Sequence, residues 1–222
     1  MKKRTLTGSN LLLSLIGFLF LACLSVVMVL NLRCIYYFDI GYLNLESETG
    51  YTEEVIRENY DVLIDYNLLM GGVKELEFPD FPMSDNAATH FKEVKRIFVT
   101  IQILCIVTGV LFLVLLVRKL MHKDYGSLKL LSILTFLIPI GLGICMFLNW
   151  DTFFVQFHEL FFNNDYWLFD PVTDPVILIL PDEFFYHCAA AILLLLFLGG
   201  ILSGGIYRLL TRKYRKEKSL HR

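Results

Sequence analysis

Four long apolar runs divide this 222-residue chain into five polar pieces, and basic residues collect on alternate pieces. Lys2, Lys3 and Arg4 precede the first run. Arg118, Lys119, Lys123 and Lys129 lie between the second and third. Arg208, Arg212, Lys213, Arg215, Lys216, Lys218 and Arg222 follow the fourth. The two other connections, 34–95 and 149–188, carry nearly all the acids. Basic flanks are retained on the cytoplasmic side, so the pattern predicts four spans, both termini in the cytoplasm and two outer loops.

The spans read as 11–32, 97–117, 130–148 and 189–207, each about twenty residues and long enough to cross a hydrocarbon core as a helix. The expected fold is an α-helical integral membrane protein. Residues 1–222 form one membrane domain, and the loops 34–95 and 149–188 form an extracellular cap. No span contains Lys, Arg, Asp, Glu or His, which argues against an intramembrane proton relay or a charged permeation path. Lys2-Lys3-Arg4 before an apolar run resembles a signal peptide, but the run is longer than a signal-peptide core, so an uncleaved signal anchor is expected. The formal net charge of −2 hides the asymmetry: loop 149–188 holds seven acids and no Lys or Arg. Nucleic acid is therefore not an expected partner. The five cysteines include no CxxC pair. Cys34 and Cys188 fall at the same boundary, where a disulfide is chemically open to them, and two small apolar residues at helix ends is the simpler reading.

The loop 34–95 is about 60 residues, too long for a bare connector. Thr52 reads as a helix cap with Glu53 and Glu54 in the first turn, and Ile56, Tyr60, Leu63 and Asn67 repeat at helical spacing. Gly71-Gly72 is the expected stop. Phe78-Pro79-Asp80-Phe81-Pro82 reads as a loop, and Ser84 or Asp85 starts a helix that runs through His90 into the second span. In the other loop, Phe153, Phe154, Phe157, Leu160 and Phe161 fit a short helix with one apolar side. Pro171, Pro175 and Pro181 mark irregular backbone after it. Thirteen aromatic residues lie between Phe147 and His187. Both an interfacial aromatic belt and a surface that lies on acyl chains account for them. Gly199-Gly200 and Gly204-Gly205 read as faces for close helix packing.

Of five histidines, His221 and His122 sit in basic tracts and His187 abuts the fourth span. His90 and His158 each lie on an outer segment beside a span, so both are expected near the outer membrane surface. Imidazole is the side chain best suited to move protons near neutral pH. Nothing completes a nucleophilic arrangement: there is no GxSxG and no HExxH. Two histidines alone seldom hold a catalytic metal, so no metal and no cofactor is expected.

His90-Phe91-Lys92-Glu93-Val94-Lys95, the later Phe157-His158-Glu159-Leu160-Phe161-Phe162 followed by Trp167, Asn59-Tyr60 with Tyr66, and Asp174-Pro175-Val176-Ile177 leading to Leu180-Pro181 and Phe184-Phe185 come in a telling order. Together with the topology they resemble the lipoprotein intramolecular transacylase family of Gram-positive bacteria. Glu93 departs mildly, standing where Asp is as common. The resemblance implies an enzyme of the bacterial plasma membrane with its active site on the extracellular face. It would act on a diacylglyceryl lipoprotein among membrane lipids, with no obligatory protein partner. The acyl chain on the glyceryl sn-2 oxygen would move to the amine of the N-terminal cysteine, giving a lyso-form lipoprotein. Nucleophile and electrophile then both belong to the substrate, so two histidines acting as base and as acid or oxyanion donor suffice. His158 is the expected base and His90 its partner. Tyr60, Phe157, Phe162 and Trp167 are expected to wall the acyl chains, and Asn163 and Asp174 to contact the amine or hold a histidine tautomer.

Two rival readings differ in what they require. A non-catalytic adaptor or immunity-type protein would use the acidic cap as a binding surface and tolerate changes at both histidines. A transporter would need polar spans, and Thr100, Gln102, Thr108, Ser132 and Thr135 are a thin supply. The transacylase reading requires His90 and His158 to reach one ester group, which imidazoles more than about 12 Å apart could not do.

Overall fold

A computed structural model describes residues 6–220; Lys2, Lys3, Arg4, His221 and Arg222 lie outside them. Within the described residues the regular structure is entirely helical: α1 (Gly8–Asn31), α2 (Arg33–Tyr42), α3 (Leu45–Thr49), α4 (Glu53–Asn67), α5 (Asp85–Met121), α6 (Gly126–Leu148), α7 (Trp150–Phe161), a 3-10 turn over Pro175–Ile179, and α8 (Asp182–Leu220). Four of them, α1, α5, α6 and α8, are long and apolar enough to cross a membrane. α5 and α8 run to 37 and 39 residues, well beyond the roughly 20 that a crossing needs. Their first turns therefore belong to the polar part of the chain, and those turns carry His90 and His187.

The described residues divide into two compact units, the first made of residues 6–25, 103–144 and 192–220. Apolar helices gain little from burial in lipid, so close approach and hydrogen bonds hold them together. A Cβ at Gly17 would stand 2.5 Å from the Phe112 ring, and one at Gly200 would stand 2.6 Å from Thr135 Oγ1. Ser132 Oγ donates to the Gly200 carbonyl at 2.9 Å. The expected packing role of the Gly199-Gly200 face is thus present. Near one end, Asp124 accepts from Asn10 Nδ2 at 3.2 Å and from Lys119 Nζ at 3.0 Å, tying α1 to the connection between α5 and α6.

The second unit comprises residues 26–102 and 145–191. Its core is built around Tyr36, Ile56 and Ile179, none of which has any exposed surface. The Tyr36 ring stacks on Tyr60 at 3.7 Å and meets Phe184 edge-on at 4.9 Å, while its hydroxyl donates to the Ile179 carbonyl at 2.5 Å. One side chain thereby joins α2, α4, the 3-10 turn and α8. Thr52 caps α4 by accepting from the Val55 amide, as its sequence position predicts. Ile56, Tyr60, Leu63 and Asn67 all face inward. The Phe78–Pro82 segment is pinned by Asn59, which donates to Asp80 Oδ2 at 2.7 Å and accepts from the Asp80 amide at 3.3 Å.

One local expectation differs in detail. α4 stops at Asn67, where Leu68 turns to extended geometry, and not at Gly71-Gly72. The glycine is needed for a different reason: the chain leaving α4 folds back so tightly that a Cβ at Gly71 would stand 1.9 Å from the Asp65 carbonyl oxygen. Gly71→Ala should therefore cost about 1–3 kcal/mol, as overpacking does. Gly41→Ala, whose Cβ would meet nothing within 4 Å, should be close to neutral. Thermal unfolding of the two variants in one detergent checks this; equal midpoints would contradict it.

Candidate functional site

His90 lies on the first turns of α5, and α7 carries His158 in its last turn. The two ring centroids are 6.1 Å apart with planes inclined by 30°. A ring nitrogen reaches about 3 Å to a hydrogen-bond partner, so both imidazoles can address a single small group between them. This is well inside the 12 Å limit set by the sequence.

Aromatic rings enclose the pair. Around His90 stand Phe162 at 4.6 Å, Phe169 at 5.5 Å and Phe91 at 5.9 Å. Around His158 stand Phe154 at 4.3 Å, Trp167 stacked at 4.5 Å, and Phe162 at 5.7 Å. Phe162 touches both rings and is itself buried.

The histidines differ in polar partners. His158 Nδ1 lies 2.8 Å from the Phe154 carbonyl oxygen, one turn back on α7. A carbonyl only accepts, so Nδ1 carries the proton and Nε2 holds the free lone pair. Burial lowers the His158 pKa, while the Phe154 carbonyl and Asp182 pull the other way. His90 has no such support. Its Nδ1 is buried without a hydrogen-bond partner. Burial, and then the neighbouring His158, push its pKa down to about 4. A buried polar atom left unpaired costs about 1–3 kcal/mol, which a group from outside the protein can recover. The site thus holds one imidazole with an exposed basic nitrogen and one neutral imidazole with an unfilled polar edge.

Two contacts hold these elements in register. Ser84 caps α5 through its Oγ, which accepts from the Ala87 amide at 3.2 Å. Asp174 in turn accepts from the Ser84 amide at 2.7 Å and the Ser84 hydroxyl at 2.9 Å. One turn after His90, Glu93 accepts from Asn164 Nδ2 at 3.3 and 3.2 Å. That contact ties the segment after α7 to the helix that bears His90.

Of the residues singled out from sequence, His90, His158, Phe162 and Trp167 come together. Phe157 meets His158 edge-on at 5.6 Å, but from an outer side that leaves it 45% exposed. Tyr60 is in the core stacked on Tyr36, and no ring contact joins it to either histidine. Asn163 is exposed. Asp174 is occupied with Ser84 and with the Thr173 hydroxyl at 2.8 Å, so it organises the start of α5. Sequence reasoning missed Phe169 and Asn164; an acid one turn from His90 was the signal that a donor such as Asn164 had to be found. Among the described residues, no three His, Cys, Asp or Glu side chains converge as a metal site requires. Cys34 and Cys188 are unbonded.

Comparison with known proteins gives a consistent result. The family model of lipoprotein intramolecular transacylases matches residues 11–185. The solved structure of the membrane-integral lipoprotein intramolecular transacylase from Bacillus cereus is 38% identical in sequence. It superposes with a TM-score of 0.91 over 94% of this chain and 96% of its own. Two variants of the Bacillus cereus protein, with a single histidine replaced by arginine or by alanine, give TM-scores of 0.85 and 0.84 at the same identity. They cover 94% of this chain, and 93% and 94% of their own chains respectively. No curated protein matches.

Asn164→Ala removes the tie to Glu93 and should loosen the segment after α7 without disturbing α4. Faster amide hydrogen exchange across 162–169, with exchange in 53–67 unchanged, is the expected result; uniform exchange in both segments would contradict it.

Proposed function

This chain belongs to the lipoprotein intramolecular transacylase family, and from that premise we propose that His158 and His90 together move an acyl chain from oxygen to nitrogen within one diacylglyceryl lipoprotein. It is a multi-pass membrane protein and an acyltransferase by family, so the adaptor and transporter readings fall away. The proposal adds which bond moves, which residues move it and on which side of the membrane.

The substrate is a mature lipoprotein whose N-terminal cysteine carries a diacylglyceryl thioether and a free α-amine. The amine attacks the sn-2 ester carbonyl, closing a ring of about eight atoms whose cost is mainly orientational. A new N–C bond forms, and the proton released by nitrogen goes to His158 Nε2. The bond between the acyl carbon and the glyceryl oxygen then breaks, and the proton passes to that leaving oxygen. Acyl groups, charge and protons balance with no further reactant.

The two imidazoles take different roles because their surroundings differ. His158 has its Nδ1 proton committed to the Phe154 carbonyl, which leaves Nε2 as the base. His90, with its pKa near 4, is neutral at working pH, so it acts as an N–H donor to the developing oxyanion and not as an imidazolium. The observation that carries this reading is the 6.1 Å approach of the two rings inside one aromatic enclosure. Phe154, Phe162, Trp167 and Phe169 also limit water, which would otherwise compete with the amine for the ester. In this reading Phe162 and Trp167 line the acyl path, Phe157 extends it outward, and Asn163 stands free to meet the lipopeptide. Tyr60 and Asp174 act at a distance: Tyr60 supports the core beneath, and Asp174 fixes the start of α5.

Alternation of basic residues supports both termini in the cytoplasm. It also supports a cap on the extracellular face, where diacylglyceryl lipoproteins are displayed. The product is a lyso-form lipoprotein with one N-linked and one O-linked chain.

Mass spectrometry of the N-terminal lipopeptide, from a host lacking other N-acylating enzymes, tests the proposal. Wild type should leave total acyl mass unchanged with one chain moved from oxygen to nitrogen. His158→Ala and His90→Ala should each slow conversion by about 10²–10⁴-fold. Full conversion by either well-expressed variant would remove that histidine from the mechanism.

A further inference from the structure

A second polar cluster stands apart from the His90–His158 enclosure, in an open depression of about 380 Å³ lined by Cys34, Ile35, Phe38, Asp39, Tyr42 and His187. Asp39 is only 1% exposed, yet within the described residues the one hydrogen-bond partner of its carboxylate is His187. His187 Nδ1 lies 2.9 Å from both carboxylate oxygens. A buried carboxylate held by a single N–H is under-satisfied for a structural ion pair. The pairing does fix the imidazole: Nδ1 carries the proton toward Asp39, and the opposite edge with Nε2 is the part left to the depression. The His187 side chain is 32% exposed.

The walls are aromatic. Phe38 and Tyr42 stack on each other at 5.5 Å, and Tyr42 meets the His187 ring at 5.8 Å. Phe38 and Tyr42 are 67% and 63% exposed, so their faces are open to a visitor. No Lys or Arg lines the depression. An acceptor nitrogen backed by a buried negative charge and flanked by ring faces is complementary to a cation carrying N–H groups. An anion would meet a carboxylate and electron-rich faces with nothing to neutralise it.

We propose that this depression is a separate recognition site for a primary ammonium group borne on an apolar stem. His187 Nε2 accepts one N–H, the Phe38 and Tyr42 faces take the charge, and Ile35 and Cys34 contact the stem. Location indicates what carries the ammonium. α2 follows α1 after the single residue Leu32, and His187 stands just before the apolar part of α8, so the site is where apolar helices give way to polar chain. Two sources share this chemistry there: an amino-headed phospholipid, and a lysine side chain close behind the lipidated cysteine of a lipoprotein.

The test uses the full chain in nanodiscs of phosphatidylglycerol, with histidine side chains ¹⁵N-labelled. Dodecylammonium should shift the His187 signal saturably, while dodecyl sulfate and dodecanol should not. Phe38→Ala and Tyr42→Ala, both at exposed positions, should each weaken that response by about two- to thirty-fold. Asp39→Asn should abolish it. Transacylation by Phe38→Ala should remain measurable, which shows that the fold survives. Competition then separates the sources: displacement by phosphatidylethanolamine identifies the lipid, and displacement by a short lipopeptide with lysine after its cysteine identifies the substrate chain. An equal or stronger response to dodecyl sulfate would overturn the proposal, because the pair would then present a donor. A dodecylammonium response that persists in the Phe38→Ala, Tyr42→Ala double variant would overturn it as well.

Discussion

The candidate site of the second unit depends on two imidazoles held close together among aromatic rings. Two protonated imidazoles 6.1 Å apart would repel, and burial of either charge would be opposed by desolvation. Both effects favour neutral rings. The aromatic side chains around them supply the low-dielectric surroundings, and Phe162, in contact with both, couples their environments. A more open site would let the histidines charge near pH 6.5 and lose the neutral rings that the proposed reaction uses.

The same enclosure gives the two rings different surroundings. His158 offsets part of its desolvation through the Phe154 carbonyl and the field of Asp182, so it remains the stronger base. His90 has only rings beside it and an unpartnered nitrogen. The difference arises from local helix geometry. His158 Nδ1 shares the Phe154 carbonyl one turn back on α7, whereas His90 Nδ1 is buried with no hydrogen-bond partner. Pairs of titratable groups whose environments push their pKa values apart are a recurring solution for running acid and base steps at one pH.

Much of this was legible in the sequence. Composition alone located four apolar helices, Thr52 announced α4, and the acid-rich loop with its clustered phenylalanines announced α7. The approach of His90 to His158 was an expectation drawn from motif order, and the rings do meet. What could not be read were contacts that depend on where loops return. Asn163 and Asn164 are identical residues side by side, and only folding decides that the second reaches Glu93. Asp174 before Pro175 resembled a turn residue or an active-site acid, whereas it caps the cap of α5 through Ser84. Tyr60 shares a motif with site residues yet is held in the core by Tyr36, because stacking and burial of a large ring outweigh its hydroxyl's preference for a polar site. The Asp39–His187 pair joins residues 148 positions apart, a separation that no local pattern encodes.

The central claim is that the protein holds both histidines neutral, with His158 as the Nδ1–H tautomer. Histidine ¹⁵N NMR of the membrane-embedded protein across pH 8 to 4 reads this directly. A lowered pKa means that each ring stays uncharged as pH falls through 6.5 and takes its proton only on further acidification. His90 should titrate near 4 and His158 below 6.5, with the His158 proton on Nδ1 throughout its neutral range. A His90 that is protonated at pH 6.5, or a His158 carrying its proton on Nε2, would contradict the account, since the base would then have no lone pair facing the substrate.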